Sequence, residues 1–114
     1  ELQVVETGII QQGVAAPGST FTLRLWGEPG RSARCFGSWN SAFVLRPDLG
    51  GVLRVGVPAW LLGQATLDAQ GRGAVTLRVP NDPNLSGRTL HAQLQTTATG
   101  MNPVLSDGLD VAIQ

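Results

Sequence analysis

The sequence predicts an all-β fold: an antiparallel β-sandwich of immunoglobulin-like or jelly-roll type with seven to nine short strands. Three observations carry that expectation. Apolar and polar residues alternate with a period of two in several short runs; turn residues recur about every 8–12 positions; and the two clearest runs are separated by prolines and a glycine that no ladder could cross. Both clear runs lie in residues 65–97. In the first, Val75, Leu77 and Val79 share a face opposite Thr76 and Arg78. In the second, Leu90, Ala92 and Leu94 alternate with His91, Gln93 and Gln95. Such a period belongs to a strand with one face buried and the other solvated.

Taken in order, residues 1–10 (ELQVVETGII) are β-prone and apolar on both faces, with Leu2, Val4 and Ile10 pointing one way and Val5 and Ile9 the other. Residues 11–19 (QQGVAAPGS) read as a linker or wide turn, so this first strand is expected to be loosely tethered to a sandwich body over 20–114. Residues 20–27 form the next strand, with Phe21, Leu23 and Leu25 inward and Thr22, Arg24 and Trp26 outward. Residues 31–39 alternate more weakly, with Ala33 and Cys35 on one side. Residues 42–45 are a short apolar run closed by Arg46 and Pro47, and residues 51–57 alternate again. Residues 58–63 fit either a helical turn or a bulged strand. Residues 68–73 (DAQGRG) carry the chemistry of a tight hairpin cap. The closing strand, within residues 103–113, has large aliphatics at Leu109, Val111 and Ile113 and is expected near the centre of a sheet.

At 114 residues the chain is the size of one sandwich domain. Eight acidic and eight basic residues cancel and are spread along the chain, which excludes the basic stripe of a nucleic-acid or anionic-membrane surface. All eight basic residues are Arg, and Tyr is absent. No apolar run approaches the roughly 20 residues of a bilayer span. Cys35 is the single cysteine, so packing rather than an intrachain disulfide must hold the fold, and Cys35 reads as a small buried residue. The chain starts at Glu1, which suggests a removed signal peptide or a fragment; a neutral, Gly- and Thr-rich β domain fits secretion.

The segments FTLRLWGEPG (21–30), LLGQATLDAQGRGAVTLRVPNDPNLSGRTLHAQLQ (61–95) and LSDGLDVAI (105–113) resemble a small β-sandwich module of secreted environmental bacterial proteins. That module often sits at the C-terminus of longer exported chains or stands alone after a signal peptide. The resemblance covers about half of the chain and implies a β-sandwich and export, with no catalytic residue. It does not extend to the N-terminal strand.

The residues that carry chemistry are sparse. His91 is the only histidine and falls on the polar face of its run, where a plain outward side chain is the simpler reading than a metal ligand. A Cys35–His91 nucleophile pair is conceivable but lacks any accompanying local signature, and no Gly-x-Ser-x-Gly is present. Asp82 with Asn81 and Asn84 offers oxygens that a calcium ion would accept, although the two flanking prolines favour a turn. Asp68 begins a calcium-loop-like string that fails at Arg72, and Asn84-Leu-Ser86 is a formal glycosylation acceptor. No cofactor is expected. Of the tryptophans, Trp39 and Trp60 lie near turns and read as lids on the core. Trp26 faces outward, where it would pack on a neighbouring subunit, lie over the sheet beside Arg24, or cover a sugar ring.

The expectation that follows is a non-catalytic, extracellular or cell-surface structural protein that associates with copies of itself, plausibly a filament subunit joined by exchange of the N-terminal strand. Its interface candidates are Leu2, Val4, Val5, Ile9, Ile10, Arg24 and Trp26. The alternative is a monomeric accessory module that attaches a secreted protein to polysaccharide or to the cell surface, through Trp26 with Arg24 or the loops around Trp39 and Trp60.

Overall fold

The computed structural model describes residues 7–114. Among them are ten strands: β1 (Gly8–Gln12), β2 (Thr20–Trp26), β3 (Ser32–Ser38), β4 (Ser41–Arg46), β5 (Gly51–Val55), β6 (Trp60–Thr66), β7 (Arg72–Arg78), β8 (Thr89–Thr97), β9 (Val104–Leu105) and β10 (Leu109–Ala112). Two short 3-10 turns, Pro47–Leu49 and Pro83–Leu85, are the only helical elements described. Every ladder is antiparallel. One sheet has the order β1-β2-β7. The other runs β10-β8-β3-β6, with β9 also on β8, and β4-β5 form a separate hairpin. The strands number ten against the seven to nine expected, because residues 58–63 lead into a full strand and the closing segment is split in two.

Alternation places the core between the two main sheets. Phe21, Leu23 and Leu25 from β2 and Val75 from β7 are buried against Ala33 and Cys35 from β3, Leu90, Ala92 and Leu94 from β8, and Val111 and Ile113. These are the inward residues that the period of two selects, and their removal from water is the main driving force for the fold. Ala15, within the segment read as a linker, is fully buried, and its carbonyl accepts the Gln114 N–H at 2.8 Å.

The registers define two ends of the sandwich. Gly8, Trp26 and Arg72 lie together at one, while Thr20 and Arg78 lie together at the other. The chain crosses between sheets at the first end through two interlocked turns, with Gly27 N–H donating to Gly71 O at 2.8 Å and Leu67 N–H to Arg31 O at 2.9 Å. Residues 68–73 therefore do not close a hairpin of paired strands. They carry the chain from β6, which pairs β3, to β7, which pairs β2. The turn chemistry is as expected: Asp68 Oδ1 accepts from the N–H groups of Gln70 and Arg72, both at 2.9 Å. Gly71 takes φ 75°, and a side chain there would strike the Gly27 carbonyl.

The closing strand corrects a second expectation. β10 lies at a sheet edge, beside β8 alone. Val111 and, just past the strand, Ile113 are buried all the same and Leu109 is partly so; burial across a sandwich does not require a central place within a sheet.

Gln93 departs furthest from its pattern. Alternation puts it on the solvated face of β8, yet it is 1% exposed. The β4-β5 hairpin lies over that face. Gln93 Oε1 accepts from Arg54 N–H at 2.9 Å, and Nε2 donates to Val52 O at 2.8 Å and Ser106 O at 2.7 Å. Gln95 Nε2 donates to Leu49 O at 3.0 Å. Two polar side chains of β8 thus anchor the hairpin through its backbone.

Arg31, 7% exposed, is held by Glu28 Oε2 at 2.8 Å and Asn102 O at 3.0 Å, which ties the β2-β3 turn to the loop after β8. Replacing Gln93 by Leu strands one N–H and two carbonyls, so we expect a loss of about 2–4 kcal/mol in urea unfolding. Faster hydrogen exchange at Arg54 should accompany it. A loss below about 0.5 kcal/mol would show that these bonds do not hold the hairpin.

Candidate functional site

Of the seven residues expected at an intersubunit contact, Leu2, Val4 and Val5 lie outside the described residues. The other four are placed. β1 finds its partner within the chain, since Gly8–Gln12 pair with Thr22–Trp26. Of the two partners the sequence leaves open for this strand, its own domain or a neighbour, the described chain supplies the first: Ile9 is buried in the chain's own core, and Ile10, 50% exposed, is on the outside.

Arg24 and Trp26 are on the outer face of the three-stranded sheet. Arg24 Nε donates to Gln12 Oε1 at 2.6 Å. The Trp26 indole covers Gly8, where even a Cβ would overlap its ring. The glycine lets the ring lie flat on β1, so most of one indole face is spent within the chain. Beside it is an open concavity of about 950 Å³ lined by Ile10, Gln12, Arg24, Trp26 and Arg72, a half-polar surface with two guanidinium groups.

Most of the exposed apolar surface lies elsewhere. Among the described residues nine large hydrophobic side chains are exposed, and six of them, Phe43, Val44, Leu45, Val57, Trp60 and Leu61, come from the hairpin, the loop after it and the start of β6. Phe43 and Val57 are 76% and 81% exposed. The reason is the seating of the hairpin: polar bonds from Gln93 and Gln95 to its backbone, together with buried Val55 of β5, hold it, so the β4 side chains need not turn inward. The Arg54 guanidinium sits 5.2 Å over the Phe43 ring. Apart from Trp60 these residues are not singled out by the sequence, because a continuous apolar run such as Ala42-Phe-Val-Leu45 reads as a strand buried on both faces rather than an exposed one.

At the Thr20–Arg78 end, Trp39 and Trp60 stand 6.0 Å apart with a 56° tilt, and the Arg88 guanidinium lies 4.3 Å over Trp39. They border an apolar cavity of about 390 Å³ that reaches Phe21, Leu77, Leu85 and Ile113, with Arg78 and Asp82 also lining it. The lid reading of both tryptophans thus acquires a recess beneath it.

The remaining candidates separate. Cys35 faces the core, whereas His91 lies on the outer face of the same sheet and bonds Asp110 Oδ1 at 2.8 Å, so the two do not form a pair. Asp82 Oδ1 accepts the Asn84 N–H at 3.0 Å and caps the Pro83–Leu85 turn. No group of three or more His, Cys, Asp or Glu side chains suited to a metal occurs among the described residues, and no helix of theirs is long and apolar enough to cross a membrane. The chain matches no protein-family model, and no relative emerges among curated proteins.

Burial pushes the Cys35 thiol up to about 12, from an ordinary 9.0. The folded value exceeds the unfolded one, so the neutral thiol contributes stability that is complete below about pH 9 and is lost as the pH climbs toward 12. With no Lys or Tyr in the chain, Cys35 is the one side chain that titrates across that window. Melting followed from about pH 8 to about pH 10.5 should show a declining midpoint that Cys35→Ala flattens. An equal decline in the variant would contradict this.

Proposed function

We propose that the chain is a non-catalytic structural module, active outside the cell, whose work is to associate with copies of itself. We also infer the immunoglobulin-like form of the sandwich, because β2 lies beside β7 and β3 beside β8, as the second and fifth and the third and sixth strands do in that architecture. The observation that carries self-association is the concentration of exposed apolar side chains on the hairpin and the start of β6. Surfaces of this kind on small domains mark protein contacts, and a pair of copies meeting there would remove Phe43, Leu45 and Val57 from water together. Arg54 on Phe43 adds the aromatic and guanidinium character enriched at the centres of such contacts. The buried thiol and the engaged histidine support a role without covalent chemistry. Export rests on the resemblance to secreted modules and on the composition.

A second reading is an accessory module for polysaccharide, favoured by the tilted Trp39–Trp60 pair at the mouth of a recess. Glycan binding lost on Trp60→Ala, in a protein that stays monomeric, would support it over self-association.

The test of the leading reading is a double substitution, Phe43→Ser with Leu45→Ser. These side chains are exposed, so the fold should persist while the midpoint concentration for association rises about tenfold or more in sedimentation velocity. A midpoint unchanged within about twofold would place the contact elsewhere.

A further inference from the structure

The cavity beneath Trp39 and Trp60 and the entry to β1 at Gly8 lie at opposite ends of the sandwich. Thr7 enters β1 beside Trp26 and Arg72, while the cavity is built from Phe21, Leu77, Val79 and Ile113 at the Thr20–Arg78 end. β2, seven residues long, separates the two by roughly 20 Å of strand. Residue 4 is three positions before Thr7 and reaches at most about 10 Å from it, so it cannot enter its own cavity.

We propose that this cavity receives residues 1–6 of a second copy. The proposal rests on the self-association reading and adds a direction to it. The segment, ELQVVE, offers three apolar side chains, Leu2, Val4 and Val5, between two carboxylates. The cavity offers the complement. Its walls are almost wholly apolar, and its volume of about 390 Å³ falls within the range of sites that enclose a substantial ligand. Arg78 lines it and Arg88 covers Trp39 at its border, two cations for Glu1 and Glu6. The one acid among the lining residues, Asp82, already has a carboxylate oxygen on the Asn84 N–H.

The segment and the cavity are therefore complementary in both charge and apolarity. Because donor and receiver sit at opposite ends, the contact is heterologous: each copy that gives its segment keeps an open cavity, and the array extends without closing. The lateral surface on the hairpin remains free to join such rows side by side.

A covalent trap tests the placing. In the full chain, Val4→Cys and Leu85→Cys are introduced together and assembled protein is oxidised mildly; Cys35, being buried, stays out of the reaction. An intrachain bridge is ruled out because residue 4, reaching at most about 10 Å from Thr7, still falls roughly 10 Å short of the far end of β2, beyond the ~7 Å between Cα atoms that a disulfide allows. The expected result is a reducible ladder of three, four and more chains on a denaturing gel, with at most dimers from either single substitution. Adding Leu2→Asp, which leaves both thiols in place, should abolish the ladder.

A ladder that survives Leu2→Asp, or none while light scattering still reports association, would overturn this inference and leave the self-association reading standing. A protein that scatters as single chains at every concentration before oxidation would overturn both. Should Leu85→Cys perturb the cooperative melt, Asp82→Cys at the exposed rim serves in its place, with the same outcomes.

Discussion

The three hydrogen bonds of the Gln93 side chain decide what this molecule shows to its surroundings. Sandwich folding by itself buries the inner faces of two sheets, and the outer face of the larger would then show His91, Gln93 and Gln95 of β8 beside Phe36 of β3. By accepting from Arg54 and donating to Val52 and Ser106, Gln93 draws a hairpin across that face and disappears beneath it. The hairpin is held at its backbone and by Val55 of β5, which is buried, so the β4 side chains Phe43, Val44 and Leu45 are left to stand in water. An apolar surface is costly to expose, and here its exposure follows from polar anchoring rather than from an unfilled core.

How much of this the sequence discloses depends on the range of the interaction. Strands β2, β7 and β8 are legible because a period of two is local, and Phe21, Leu23, Leu25, Leu90, Ala92 and Leu94 are the buried residues it selects. The Asp68–Gly71 turn is legible as a turn, since its Asp side chain and left-handed glycine are local chemistry. Which strands it joins is not legible, because the same few residues serve a hairpin and a sheet crossing equally well. Gln93 and Arg54 are 39 positions apart, and nothing in the neighbourhood of either announces the other. The edge position of β10 is hidden for a related reason: Val111 and Ile113 report burial across the sandwich and are silent about neighbours within the sheet.

The candidate site divides in the same way. Trp26 and Arg24 were readable as outward, and they are, but the use of the indole is set by a glycine 18 positions away in sequence, Gly8, on which the ring rests. Trp39 and Trp60 were readable as lids; the recess they border is assembled from β2, β7, β8 and the closing strand, a conjunction that only the tertiary fold creates. Ile9 and Ile10 show the limit of an argument from two apolar faces, because one face of that strand is spent on the chain's own core and one remains.

Together these features give a small domain held by packing and buried hydrogen bonds without an intrachain disulfide, with an apolar flank, a recess at one end and the entry of its first strand at the other. The central claim is that such a domain exists to join copies of itself. The most direct measurement is the weight-average mass of the full chain by light scattering across protein concentration, with electron micrographs of the same samples. Mass that grows with concentration, accompanied by linear particles, is the expected result; the mass of one chain at every concentration would contradict it.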